Sequence, residues 1–181
     1  MKKIWIIASA VTFLLAGCSS PSTKDYAEVT PKLDLREYFN GPLVAKGILF
    51  DYTGKADLMF RVDLVGSWQG NEGTLREHFT YSDGRTEERT WHMRFTDDHQ
   101  FTATADDVVG IANGAQDGNS VNMRYTLNAK RPDGDRIILS MDDWMYLLDE
   151  RTLINRTAMR KYGLTVGELV ITFEKGTGRA K

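Results

Sequence analysis

From residue 58 onward, apolar and polar residues alternate with a period of two. Leu58, Phe60, Val62, Leu64 and Trp68 share one parity, while Met59, Arg61, Asp63 and Ser67 occupy the other. That is the pattern of a strand with one buried and one solvated face. The next segment carries Leu75, Phe79 and Tyr81 on one face and runs into Ser82-Asp83-Gly84. With Gly84 in the left-handed position of a short loop, Tyr81 pairs with Arg85 and Leu75 faces Trp91. Glu77 then lies opposite Arg89, and Glu87 beside Phe79. Two registers are compatible with the turn. The one described gathers Leu75, Phe79, Tyr81, Trp91, Met93 and Phe95 on one surface, and a one-residue slip scatters them.

The alternation continues through Phe101, Ala103 and Ala105, and through Val121, Met123, Tyr125, Leu127 and Ala129. Pro132-Asp133-Gly134 turns the chain before Ile137, Leu139 and Met141. The run from Trp144 to Leu148 follows, residues around 155 return antiparallel past it, and Leu169, Ile171 and Phe173 close the series. Gly54, Gly70, Gly84, Gly118, Gly134 and Gly163 fall at or near the breaks. The prediction is an all-β fold: about eight to ten short strands in one antiparallel meander. Such a sheet hides its edges best by closing into a β-barrel. One short helix precedes it, because Asp34-Leu35-Arg36-Glu37 has capping-box spacing and Gly41-Pro42 stops the turn.

The N-terminus has a different pattern. Lys2 and Lys3 precede an apolar run from Ile4 to Leu15, which is shorter than the roughly 20 residues of a membrane-spanning helix. The run ends in Leu15-Ala16-Gly17-Cys18, which resembles the lipobox of bacterial lipoproteins. The resemblance implies removal of residues 1–17 and acylation of Cys18, whose chains hold the protein to a membrane at about 0.8 kcal/mol per buried CH₂. Ser19 in place of the Asp usual in inner-membrane lipoproteins implies handling by the lipoprotein export machinery. The expected address is the outer membrane, facing the periplasm. Residues 18–31, with Pro21 and Pro31, read as a flexible tether, and residues 32–181 as one barrel domain. A membrane-spanning barrel would turn apolar residues to lipid around a polar interior. An acylated terminus makes that arrangement redundant, so the expected barrel has an apolar interior.

Composition narrows the function. The chain has 181 residues, 41% of them hydrophobic and 27% charged, which suits a folded domain. Its net charge of -2 argues against a nucleic-acid partner. A single cysteine excludes an internal disulfide. His78, His92 and His99 lack the spacing of a metal site, so no metal or cofactor is expected. No nucleophile elbow or phosphate-binding loop occurs.

Several motifs together resemble an uncharacterised family of bacterial envelope lipoproteins, over about residues 33–174. They are Phe39-Asn40-Gly41-Pro42-Leu43, Asp107-Val108-Val109-Gly110, Asp142-Asp143-Trp144-Met145-Tyr146-Leu147, Asn155-Arg156, and Tyr162-Gly163 before Val166-Gly167-Glu168. The resemblance implies a domain of unknown function with a lipocalin-like barrel, and it supplies no catalytic residues.

The remaining candidates are charges and rings of inward parity. Glu77 and Arg89 form an expected ion pair among aromatics, since an unpaired charge there is costly. Asp142 and Asp143 point to opposite faces, and one of them is expected to pair with Arg156. Trp91, Tyr125, Trp144 and Tyr146 suit the wall of a ligand cavity by their amphipathic rings. Met123, Met141, Met145 and Met159 would add an adaptable apolar surface. The leading expectation is a non-enzymatic, membrane-anchored barrel that binds a fatty acid, lipid or similar amphiphile. Its chain lies inside, and Arg89 or Arg156 meets an anionic head. The alternatives are an assembly lipoprotein with a filled barrel, or an enzyme acting on envelope lipids with Asp143, Glu77 or Glu168 as acid or base.

Overall fold

Ten strands follow one another around a closed barrel in which every neighbour is antiparallel. A computed structural model describes residues 20–131 and 133–176; the expected signal segment and Cys18 lie outside the described residues. The strands are β1 (Gly41–Asp51), β2 (Ala56–Gln69), β3 (Glu72–Tyr81), β4 (Thr86–Phe95), β5 (Gln100–Thr104), β6 (Val108–Asp117), β7 (Ser120–Lys130), β8 (Arg136–Leu147), β9 (Thr152–Lys161) and β10 (Leu164–Lys175). Pairing of β1 with β10 closes the ring and removes the edges. The predicted register of β3 and β4 is the observed one: Leu75 faces Trp91, Glu77 faces Arg89 and Phe79 faces Glu87. The short strands expected are in most cases long, with β2 reaching 14 residues and β5 alone as short as 5.

The inward parity supplies the core. Phe60, Val62 and Leu64 of β2, Leu75 and Phe79 of β3, and Trp91 and Phe95 of β4 are all buried, and their outward neighbours are mostly exposed. One end of the barrel is plugged. The one-turn helix α1 (Leu35–Tyr38) lies there, capped by the Asp34 carboxylate, which accepts from the Arg36 backbone N–H at 2.8 Å. Leu35 is 1% exposed, and the Tyr38 hydroxyl donates to the Arg151 carbonyl at 2.8 Å. Phe39 stacks edge-on against Tyr38 and Phe173, with ring centroids 5.1 and 5.5 Å apart. Gly66 is required at this plug, because a Cβ there would collide with the Phe39 carbonyl oxygen. The opposite end is ringed by the β1–β2, β3–β4, β5–β6, β7–β8 and β9–β10 connections.

Part of the segment expected to be a flexible tether is instead docked on the barrel. Residues Thr23–Tyr26 form a 3-10 turn with a full capping box, in which the Ser22 N–H donates to the Asp25 carboxylate at 2.9 Å. Thr23 is buried and donates to Asp117 at 2.7 Å. Tyr26 packs edge-on against Trp144 and Tyr146 on the outer wall. Sequence pattern misses this contact because one turn of helix carries no periodicity.

The wall has a notch beside β4. β5 pairs with β4 only over His92–Phe95, so Thr86–Trp91 have no strand partner on that side. The short β5–β6 connection carries Asp107, which is bonded to Arg89 of β4 beside this gap.

Candidate functional site

Inside the barrel a cavity of about 340 Å³ runs from the plug to the open end. That lies at the low end of the 300–1,000 Å³ usual for small-molecule sites. Its floor is Leu35, Phe39, Phe101 and Phe173. Its wall includes Phe60, Leu75, Phe79, Trp91, Met123, Met141, Met145, Met159 and Leu169, so the four methionines lie where the sequence places them. Lys130, Arg131, Arg85 and Asp57 stand at the mouth.

Among these apolar groups lies a buried polar set drawn from five strands and the β5–β6 connection. Arg89 of β4 is its centre. Its Nε donates to both Asp107 oxygens at 3.1 and 2.9 Å, and its Nη2 donates to Asp107 Oδ2 at 2.7 Å. Nη1 lies 3.8 Å from Glu77 Oε2, which makes an ion pair too long for a hydrogen bond. The guanidinium also sits over the Phe79 ring at 5.3 Å and the Trp91 ring at 5.9 Å. The expected Glu77–Arg89 pair therefore exists, but Asp107 is the stronger partner. Sequence reasoning missed that residue because it belongs to a connection, where strand parity says nothing.

Asp143 of β8 is 7% exposed and accepts from the Asn155 side-chain amide, which also donates to the Trp144 carbonyl. Thr157 donates to Asn155 at 3.2 Å, and the Tyr125 hydroxyl approaches Asp143 at 3.5 Å. Tyr125 and Trp91 meet edge-on at 5.3 Å. Burial pushes the Glu77 carboxyl up to about 7 against the pull of Arg89. Burial likewise pushes Asp143 up to about 7, opposed by the bonds from Asn155, Thr157 and Tyr125. Arg89 stays charged: burial opposes its charge, and Glu77 and Asp107 more than restore it.

Three residues expected at the ligand lie elsewhere. Trp144, Tyr146 and Arg156 are on the outer wall, because strict alternation along β8 turns Met141, Asp143, Met145 and Leu147 inward. Trp144 and Tyr146 stack at 5.9 Å, and Trp144 is buried from outside by Tyr26. Arg156 is paired with Glu168 at 2.7 Å and its side chain is 68% exposed, so neither residue reaches the cavity. Asp142 pairs with Arg124 and Arg160 rather than with Arg156. Glu77, Arg89, Trp91 and Tyr125 do line the cavity. Of the histidines, His78 and His99 face Glu88 and Asp117 on exposed surface. No cluster of three metal-binding side chains occurs among the described residues.

The raised carboxyls set a pH dependence. A folded pKa above the unfolded value means that the native state binds more protons than the unfolded state between about pH 4 and 7. Stability therefore falls as pH rises through that window and levels off above it. Urea unfolding should give a lower midpoint at pH 8 than at pH 5, and Glu77→Gln should flatten the difference and raise the pH 8 midpoint.

Among solved structures, the barrel is similar to the S-type phycobiliprotein lyase CPES from Guillardia theta. The TM-score is 0.55 at 5% identity, over 90% of this chain and 100% of that one. A de novo designed fluorescence-activating β-barrel matches 80% of this chain and 99% of its own, at TM-score 0.41 and 12% identity. The first of these likenesses concerns the fold alone. No curated protein matches the chain in sequence. Residues 12–175 match one family model, and the chain belongs to that family, DUF3833, described as protein of unknown function.

Proposed function

We propose that the protein is a lipid-anchored envelope lipoprotein whose barrel carries a single-chain amphiphile. The observation that carries this reading is the cavity: apolar along its length, open at one end, and provided with one buried polar site. At about 340 Å³ it suits one acyl or alkyl chain better than a whole diacyl lipid. The lipobox-like segment ending at Cys18 supports the anchor, and Ser19 supports export to the outer membrane. Ser22 and Thr23 are fixed beside the plugged end. An anchor at Cys18 then holds the plug toward the membrane and turns the mouth toward the aqueous side, where a ligand is exchanged with a partner or a second membrane.

The test is titration of the purified protein with N-phenyl-1-naphthylamine, a neutral apolar fluorophore. Saturable enhancement at one probe per chain is expected, with quenching of Trp91. Met123→Trp, which fills the cavity from β7, should abolish it while the circular dichroism spectrum stays that of a barrel. Absence of saturable binding to the unmodified chain would leave the filled-barrel assembly role as the better account. A hydrolytic reading draws on the near-neutral Glu77 and Asp143, and product released from an envelope lipid incubated with the protein would favour it.

A further inference from the structure

We infer that the buried polar site selects an amphiphile whose head donates hydrogen bonds and carries positive charge, a primary amine, over a carboxylate or phosphate head. The inference rests on the carrier reading and fixes the chemistry of its ligand. Three carboxylates, Glu77, Asp107 and Asp143, converge on the cavity, and Arg89 is the cation among them. Asp107 holds one edge of the Arg89 guanidinium through Nε and Nη2, and Nη1 faces Glu77 at 3.8 Å without a hydrogen bond. An anionic head meeting Nη1 would come between Arg89 and Glu77 and enter an acidic field. Three carboxylates share this one cation, and one acceptor among them is unmet. Glu77 has a side chain only 10% exposed, lines the cavity, and its Oε2 has no hydrogen-bond partner. A buried acceptor left unmade is destabilising, and an N–H donor met by a small rotation of the Glu77 carboxylate toward the cavity removes that penalty. The Phe79 and Trp91 rings already face the Arg89 guanidinium, so this part of the cavity accommodates a cation.

Ionisation of the site reinforces the preference as pH rises. Glu77 of β3 faces Arg89 of β4, Asp107 of the β5–β6 connection and Asp143 of β8; Asp143 is faced by Tyr125 of β7 and by Arg89. Above about pH 7 both carboxylates carry charge, and an ammonium group then compensates it.

The test is displacement of N-phenyl-1-naphthylamine by dodecylamine, dodecanol and dodecanoate, each below its micelle concentration, at pH 8 and pH 5.5. Dodecylamine should displace the probe at roughly tenfold lower concentration than dodecanoate at pH 8. The advantage should shrink at pH 5.5. In Glu77→Gln, and independently in Asp143→Asn, the amine should lose most of that margin, and dodecanol, whose hydroxyl carries no charge, should change by much less. Dodecanoate competing as well as dodecylamine would overturn the inference and move the head to Lys130 and Arg131 at the mouth. Probe binding that none of the three displaces would overturn it too. Failure of the probe itself to bind is a separate outcome, which removes the carrier reading and this inference with it.

Discussion

Replacing Arg89 with methionine should destabilise the protein by about 3–5 kcal/mol at pH 8, the range for removing one partner of a buried ion pair. The reason is what stays behind. Asp107 loses every bond its carboxylate makes to the guanidinium, and Glu77 loses the cation beside it. Methionine fills much of the volume, so the loss measures charge rather than a void. At pH 5 the deficit should shrink, because Glu77 takes up a proton and no longer needs a counter-ion. Arg89→Lys should fall between, since a point charge cannot reproduce a two-pronged contact with Asp107. Urea unfolding at both pH values checks all three statements, and an Arg89→Met deficit independent of pH would contradict them. The same bridge spans the notch between β4 and the β5–β6 connection, so faster amide exchange in Thr86–Thr90 should accompany the loss.

Phe39→Ala should cost about 3–5 kcal/mol, as expected for truncating a buried aromatic. Phe39 is 4% exposed and holds the plug by edge-on packing to Tyr38 and Phe173. Its ring is also part of the cavity floor. Truncation therefore enlarges the cavity toward the plugged end as well as weakening the core. Thermal unfolding measures the first effect. The second appears as tighter binding of a longer alkyl chain by the variant than by the unmodified protein, relative to the short chain.

How far the sequence carried the structure depends on which contacts are local. Parity alone placed Leu58 to Leu64, Leu75 to Tyr81 and Trp91 to Phe95 on the inner surface, because the period of a strand is fixed and a slip exposes every apolar side chain. The Ser82-Asp83-Gly84 turn then set Glu77 opposite Arg89. The same rule, followed through Ile137, Leu139 and Met141, puts Asp143 inside and Trp144 outside. Reading Trp144 and Tyr146 as cavity-lining set the chemistry of their rings above periodicity and misplaced both. What made Trp144 buried was Tyr26, 118 residues earlier in the chain, and no local pattern signals such a partner. Arg156 failed for the same reason. Its parity follows Trp144, and its real partner Glu168 lies across the β9–β10 pair. Asp107 was visible only as part of a family-like motif, since loop residues have no preferred face.

These placements change the chemistry of the interior. An anionic head held by Arg89 or Arg156 was the natural reading of two inward arginines. The structure leaves one inward arginine, bonded to acids, in a cavity where an acceptor is unmet. The ligand class follows from that imbalance more than from the barrel, because a fold of this kind serves many functions.

Native mass spectrometry of the gently purified protein, before and after solvent extraction and then with added dodecylamine, tests the hollow-carrier account most directly. The account predicts a one-to-one small-molecule adduct that extraction removes and dodecylamine restores. A bare chain mass that no added amphiphile shifts, from a protein still folded as a barrel, would contradict it.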